Sequence, residues 1–473
     1  FLTFLKDSNK LIPVLRNCYS ITFHERSKMR ILSILFIVLI SMVGHVHAES
    51  YENVDPTGAE ATVWYRVSRD NQIAFMDMLT KEFNNNNPFG IKITAVSAGH
   101  YGQIFTKFVN LIGTEELPDM VVGYQNQLAL FNMPGAESLI DMNDLVKSKK
   151  WAMHPETMAD IPDSFLAQDI SSDFGNARLG FPPRRSMEIL YANLDWLKEL
   201  GYDDIPKNPK DFRAAACKAS KQPFSGSKDP SAKSVGWEIG TDASRLGSVI
   251  LAHGGETLDK SKGAYVFDNA QALSAAKLIS EMSEEGCLRS ATEKYGEQTD
   301  FGNGVALFTT GSSSGLPYYG KAVSKGANFN WSIYAVPHTT SEPRGNLYGP
   351  SFAVTKKSDK RKQVAVWLWL REFLKPVNQA QFVRLTNYVP VRLSTMNLLD
   401  DYRKKNPQFD IIRELMKTAG SETPPSASYE EVRGLMKDAL AEILNGADYV
   451  QIMQDLNEEA NRLHLEALAQ LKE

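Results

Sequence analysis

The segment at residues 180–212, GFPPRRSMEILYANLDWLKELGYDDIPKNPKDF, constrains the fold more than any other part of the chain. A short apolar strand at 187–192 runs into Asn193, and an amphipathic helix carrying Trp196, Leu197 and Leu200 stops at Gly201. A Pro-rich turn then leads to a new helix opening near Pro209. The same alternation recurs upstream. Strand character at 61–67 is followed by a helix at 71–83 with Ile73, Phe75, Met76 and Leu79 on one face, a strand at 91–96, a helix at 101–112 and a strand at 119–123. Strands alternating with helices of ten to fifteen residues indicate βαβ units and a mostly parallel sheet, so the fold class is α/β.

Downstream the pattern stays mixed, with helices expected at 209–220, 243–252 and 270–286 and a strand at 305–309. Beyond residue 360 it becomes almost wholly helical, at 362–373, 378–385, 409–417, 429–445 and 449–471. A Gly/Ser/Lys/Pro loop at 226–233 marks a place that would tolerate insertion.

Near the start, Met29 and Arg30 precede an apolar run at 31–43, and Val46-His47-Ala48 comes after it. One cation, a short apolar core and small residues at the end of the run make a secretory signal peptide at 29–48, cleaved after Ala48. The run is shorter than the roughly 20 residues that a membrane span needs. Residues 1–28 carry no motif and read as upstream sequence outside the folded protein. Of the 52 Lys/Arg and 56 Asp/Glu, six and two fall within residues 1–48, which leaves the exported chain at a net −8. That balance argues against nucleic acid as a partner. Export also bears on Cys217 and Cys287, the two cysteines that survive cleavage: an oxidising compartment permits a disulfide between them, and two buried thiols are the alternative. Cys18 precedes the signal and has no lipobox, so a lipid anchor is not expected.

The strand, Asn, Asp, helix, Gly, Pro-Lys-Asp-Phe succession of 180–212 resembles the entry into the second lobe of bacterial extracellular solute-binding proteins of family 1, the maltose-binding and glycerol-3-phosphate-binding relatives of ABC importers. The resemblance implies a two-lobed periplasmic binding protein fold of type II, with three interlobe crossings and a helical C-terminal tail. By analogy the crossings fall near 179–183, 306–311 and 347–354. The lobes are then 49–180 plus 308–350 for the N-terminal one and 181–307 plus 351–473 for the C-terminal one.

It also implies where a solute would sit. Tyr101, in Gly99-His100-Tyr101-Gly102, matches a ligand-contacting tyrosine at a strand-to-helix turn. Gln125 follows a strand end where relatives often carry an acid, so the familiar carboxylate grip on hydroxyls is missing. Ser186 matches a hydrogen-bonding position. Arg184 and Arg185 beside it suggest an anionic head group, because guanidinium forks suit phosphate and carboxylate; the other reading has one capping or bridging the lobes and the other solvated. Gly236-Trp237 matches a stacking face, and Gly349, Ser351 and Tyr388 match turns that line the cleft.

Gly311-Ser312-Ser313-Ser314-Gly315 satisfies Gly-x-Ser-x-Gly between a strand and a helix, the context of a hydrolase nucleophile. Only His338 and His464 follow it, neither in a recognisable motif. The same hydroxyls and N–H groups of Ser312, Ser313 and Ser314 make a hydrogen-bonding or anion-binding nest. Metal-ligand spacing is missing from the histidines at 100, 154, 253, 338 and 464, and no Walker or Rossmann fingerprint occurs, so no cofactor is expected. The expected function is a monomeric periplasmic carrier of a carbohydrate or phosphorylated polyol that hands it to ABC permease subunits, without catalysis. A secreted serine hydrolase acting through Ser313 and a carrier of a polyamine or iron are the alternatives.

Overall fold

In the computed structural model, residues 51–66, 70–422 and 424–472 are described. The leader, the signal peptide and its cleavage site, Cys18 and Val67 of the first expected strand lie outside them.

The 180–212 segment folds as its grammar requires. Ser186–Asn193 is a strand with every residue buried, the signature of a central strand covered on both faces. The Asn193 side chain accepts the Trp196 N–H at 2.9 Å and caps the helix Leu194–Glu199. Gly201 then takes φ +82°, the left-handed turn that ends a helix. Asn208 caps the next helix, Pro209–Ala219, through the Asp211 N–H, and Pro209 occupies its first turn, where the missing N–H costs nothing.

Among the described residues, ten strands build the two larger sheets. In chain order they are β1 Glu60–Tyr65, β2 Lys92–Ser97, β3 Met120–Gly123, β4 Ser186–Asn193, β5 Val235–Ile239, β6 Leu288–Ser290, β7 Ala306–Ser312, β8 Trp331–Tyr334, β9 Leu347–Tyr348 and β10 Ser351–Val354. The first sheet runs β10-β3-β1-β2, with β1 parallel to both neighbours and β10 antiparallel to β3. The second runs β6-β5-β7-β4-β8, with β9 also paired to β4. Each sheet is the spine of one lobe. Alternation along β1 buries Ala61, Val63 and Tyr65; the helix Lys360–Phe373 packs against β1, and Asp70–Asn86 against β2.

The pairing corrects the expected lobe boundaries. β7 lies antiparallel to β4, with Thr309 opposite Tyr191, and parallel to β5, so residues 308–350 belong with the second sheet. β10 pairs with β3, and the helices Lys360–Phe373 and Pro376–Thr386 pack on Asp70–Asn86, so this segment returns to the first lobe. The span 306–311 is therefore an interior strand and not a crossing. The chain crosses near 181–186, between β9 and β10, and again between residues 399 and 408, before Gln408–Leu415 packs on β8. The C-terminal helices Tyr429–Leu444 and Tyr449–Gln470 cover the second lobe, against Ala243–Ala252 and Ala270–Glu284. Among the described residues no helix is long and apolar enough to cross a membrane.

Cys217, in Pro209–Ala219, and Cys287, at the approach to β6, are joined by a disulfide with Cα atoms 4.6 Å apart.

Candidate functional site

The crossing segments and the strand ends around them enclose a cleft made of two adjoining cavities of about 370 and 460 Å³. Arg66, Arg245, Tyr295, Ser312, Ser314 and Tyr388 border both, so they mark the junction. The first lobe supplies Arg66 directly after β1, Tyr101 and Tyr124 after β2 and β3, and Tyr388 after Pro376–Thr386. The second supplies Ser186, Arg245 and the Ser312 turn at the end of β7. Ligands of open α/β sheets collect at such strand ends.

The two adjacent arginines serve different purposes. Arg185 is 0% exposed and binds the Asp169 carboxylate at 2.9 Å, with neither side chain reaching solvent. It also donates to the carbonyls of Phe165 (2.9 Å), Gly349 (3.0 Å) and Pro350 (3.1 Å) and to Ser351 Oγ (3.2 Å), which ties both sides of two crossings together. Burial lowers its pKa from the ordinary guanidinium value, and Asp169 opposes the shift. Gln125 joins the same knot, donating to Asp169 at 2.9 Å, to the Gly349 carbonyl and to Ser351 Oγ. Arg185, Gln125 and Ser351 are thus hinge residues, buried beneath the cleft and not on its surface.

Arg184 turns the other way. Its guanidinium donates to the Tyr101 hydroxyl at 2.9 Å and lies 4.8 Å from the Tyr388 ring centre and 5.3 Å from that of Phe382. Arg66 covers the opposite part of this cluster, 4.9 Å from the Tyr101 ring centre and within 3.4 Å of the Tyr388 hydroxyl. Among the described residues no carboxylate pairs with Arg66 or Arg184 within 4 Å, and the Nε of each is buried without a partner. Arg66 borders both cavities, and its guanidinium on the Tyr101 face is complementary to an anion, whereas Arg184 borders neither cavity and packs on Tyr101, Tyr388 and Phe382. The arginines of the second lobe differ. Arg245 is paired with Glu188, which also accepts the Tyr348 hydroxyl at 2.8 Å, and Arg433 is paired with Asp242 at 2.8 Å and Glu422 at 3.3 Å.

Of the remaining expected residues, Ser186 borders the larger cavity with a hydroxyl that has no protein partner. Ser312 and Ser314 border both cavities, their hydroxyls 3.0 Å apart. Gly349 borders the larger one, where an added Cβ would stand 2.9 Å from the Arg184 carbonyl; glycine is required by close approach. Ser313 is fully buried and accepts the Met187 N–H at 3.1 Å. Its hydroxyl is a brace between β7 and β4, and His338 and His464 are bonded elsewhere, to the Thr340 carbonyl and to Ser428. The Gly-x-Ser-x-Gly pattern is therefore not an exposed nucleophile turn.

Trp237 is corrected outright. It is 1% exposed, its indole N–H bonds Thr310 Oγ1 at 2.9 Å, and Phe212 packs edge-on against it. β5 lies between β6 and β7 with all five residues buried, so its tryptophan belongs to the core of the second lobe.

Arg66, Arg245, Tyr295 and Glu297 border the cleft without having been singled out in the sequence. Arg66 had one available signal, a lone cation at the carboxyl end of a parallel strand.

The family described as bacterial extracellular solute-binding protein matches residues 78–410, more than half of the chain. The sn-glycerol-3-phosphate-binding periplasmic protein UgpB of Escherichia coli O1:K1 is 24% identical over 353 residues, spanning 72% of this chain and 77% of that one. The protein of the same name from Salmonella typhimurium is 24% identical over 352 residues. Among solved structures, the cyclic alpha-maltosyl-1,6-maltose binding protein of Arthrobacter globiformis superimposes with a TM-score of 0.71 at 18% identity, over 86% of this chain and all of that one. UgpB from Mycobacterium tuberculosis in complex with glycerophosphocholine gives 0.68 at 19% identity, over 86% and 99%.

Proposed function

Because this chain belongs to the bacterial extracellular solute-binding protein family, we propose that it is the solute-capturing component of an ABC importer, and that its solute is a phosphorylated polyol or related sugar phosphate. The observation that carries the ligand class is Arg66, a guanidinium that borders both cavities from the first lobe with no carboxylate partner among the described residues. A neutral sugar would leave that charge uncompensated, whereas a phosphate ester meets it. The hydroxyls of Ser186, Ser312 and Ser314 and the faces of Tyr101 and Tyr388 are suited to a polyol carried on that phosphate. The names of the relatives, glycerol-3-phosphate-binding proteins, agree with this chemistry.

The mechanism is capture by hinge closure. The ligand touches both lobes in the closed form and only one in the open form, so it shifts the equilibrium by that difference, and the closed form docks on the permease. Arg185, in a crossing segment, and Gln125, bonded to the same Asp169 and Gly349, hold the hinge and take no part in ligand contact. The product is periplasmic, released by cleavage after Ala48, where an oxidising compartment sustains the Cys217–Cys287 bridge.

The test is a thermal-shift panel of sugars, polyols, their phosphate esters, polyamines and ferric complexes. A ligand at a hundredfold excess over Kd stabilises the folded state by about 2.7 kcal/mol. Phosphate esters are expected to raise Tm and neutral sugars to leave it unchanged. A shift with neutral sugars only would remove the phosphate, and a shift with ferric complexes or polyamines only would remove the ligand class.

A further inference from the structure

A separate cavity, of about 610 Å³, lies within the first lobe and shares no lining residue with the cleft. It is enclosed by the end of the helix Asp70–Asn86 and the turn after it, the segment 150–157, the last turn of Lys360–Phe373 and Arg392. Phe83, Phe89, Trp151, Met153, Leu368 and Leu374 give it an apolar wall, in which Phe89 stands edge-on to Trp151 with 5.7 Å between ring centres. Capture of a solute between the lobes makes no use of this space.

The charges that border it are unbalanced. Arg371, in the last turn of Lys360–Phe373, is half-buried, and its one hydrogen bond, to the Trp151 carbonyl at 3.0 Å, occupies one of the five donors of a guanidinium. Among the described residues no carboxylate stands within 4 Å of it, and burial lowers its pKa with no neighbouring charge opposing the shift. Lys150 adjoins the tryptophan whose carbonyl Arg371 holds. Its Nζ lies 4.6 Å from the Trp151 ring centre and 3.3 Å from the Val54 carbonyl, again with no carboxylate within 4 Å among the described residues. The remaining charges are met elsewhere: Lys375 pairs with Glu372 at 2.7 Å, Arg392 with Asp160 at 2.8 Å, and His154 stands exposed beside Glu156 at 3.7 Å. Glu82 is exposed to water, where salt screens it. The helix dipole favours a cation in a last turn, but an exposed side chain would serve that purpose; it does not account for a guanidinium withdrawn from water without a counter-ion.

We propose that this cavity is a second binding site, for a small organic carboxylate with an apolar body, the carboxylate on Arg371 with Lys150 beside it and the body against Phe83, Phe89 and Leu368. A planar guanidinium meets a carboxylate at two points, which a lysine in its place would not. An apolar wall with a few convergent polar groups, in a space of this size, is the usual form of a small-molecule site. Every lining residue belongs to the first lobe, so occupation of this site does not depend on hinge closure and does not require the cleft to be filled.

The experiment is isothermal titration of the full exported chain with octanoate and phenylacetate, with acetate (charge without the body) and with 2-phenylethanol (body without the charge). Octanoate or phenylacetate is expected to bind at one site per chain, at least tenfold more tightly than either control. Arg371→Gln should weaken that acid at least tenfold while glycerol 3-phosphate titrates as in wild type. The Trp151 carbonyl keeps the Trp367 indole N–H at 2.8 Å, so the variant should fold. Lys150→Gln, at an exposed side chain, should weaken the same acid by a smaller factor and decides the matter if Arg371→Gln does not fold. Arg66→Gln should leave acid binding unchanged. Neither acid binding, both acids binding no better than acetate, or affinity unchanged in the Arg371 and Lys150 variants overturns the proposal. Acid binding lost in Arg66→Gln also overturns it, by moving the acid into the cleft.

Discussion

Replacing Arg184 and Arg185 by methionine, one at a time, should produce opposite results from neighbouring residues. Arg185→Met removes the cation from a pair in which both side chains are completely buried, and withdraws donors from Asp169, Ser351 and the carbonyls of Phe165, Gly349 and Pro350. Removing one partner of a buried ion pair costs roughly 3–5 kcal/mol, since the other charge stays buried and unpaired. Gln125 still donates to Asp169, which keeps the loss near the lower end. Against a total stability of about 5–15 kcal/mol this is a large fraction. Arg184 has no carboxylate to abandon: it carries one hydrogen bond to Tyr101 and its stacking on Tyr388 and Phe382. A methionine of similar length keeps much of the packing and removes a desolvated charge, so stability should stay within about 1 kcal/mol of wild type or rise, and phosphate-ester binding should weaken only through the cleft tyrosines Tyr101 and Tyr388 that Arg184 holds. Urea unfolding followed by tryptophan fluorescence gives the first quantity and calorimetric titration the second. If Arg185→Met unfolds within 1 kcal/mol of wild type, or Arg184→Met is as destabilised as Arg185→Met, the division of labour between the two is wrong.

Three further outcomes follow. Trp237→Ala should destabilise the second lobe by roughly 3–5 kcal/mol as a large core deletion, with Trp237→Phe restoring binding to near the wild-type value; a stable Ala variant with weakened binding, read by the same unfolding and titration assays, would return Trp237 to the cleft. Reducing the Cys217–Cys287 bridge, which spans 70 residues, should cost about 4 kcal/mol on the chain-entropy estimate, measured as the difference in urea midpoint between oxidised and Cys→Ala double-variant protein. Burial depresses the His253 pKa to about 4 from the ordinary 6.5, so its contribution to stability is complete above pH 6.5. As the pH falls from 6.5 towards 4 the unfolded chain binds a proton that the folded one refuses, and roughly 3 kcal/mol is lost over that window; His253→Gln should flatten this part of a stability–pH curve.

Local order was legible in the sequence wherever the determinants are local. The Asn193 and Asn208 caps, Pro209 in the first turn and Gly201 at the helix end act within four residues, and the helices they bound are where the pattern puts them. Lobe membership was not legible, because β7 and β10 join their sheets through partners about 70 to 230 residues away, and a strand reads the same in either lobe. The same limit explains Trp237. A tryptophan on a short strand gives no sign of whether that strand is central, and β5 proves to be covered on both faces. In the cleft, Tyr101, Ser186, Ser312, Ser314, Gly349 and Tyr388 stand at turns after strands and helices, which sequence can mark. Arg66 matters through the charge it lacks as a partner, and that is a property of the folded surroundings alone.

The central claim, that this cleft captures an anionic solute through Arg66, is tested most directly by calorimetric titration of glycerol 3-phosphate into wild type and Arg66→Gln at low and moderate salt. Arg66 is a half-buried rim residue, so the variant should keep its Tm. The account requires one site per wild-type chain, affinity that falls with salt, and at least a tenfold loss in Arg66→Gln, about 1.4 kcal/mol. Equal affinity in wild type and variant, independent of salt, would contradict it.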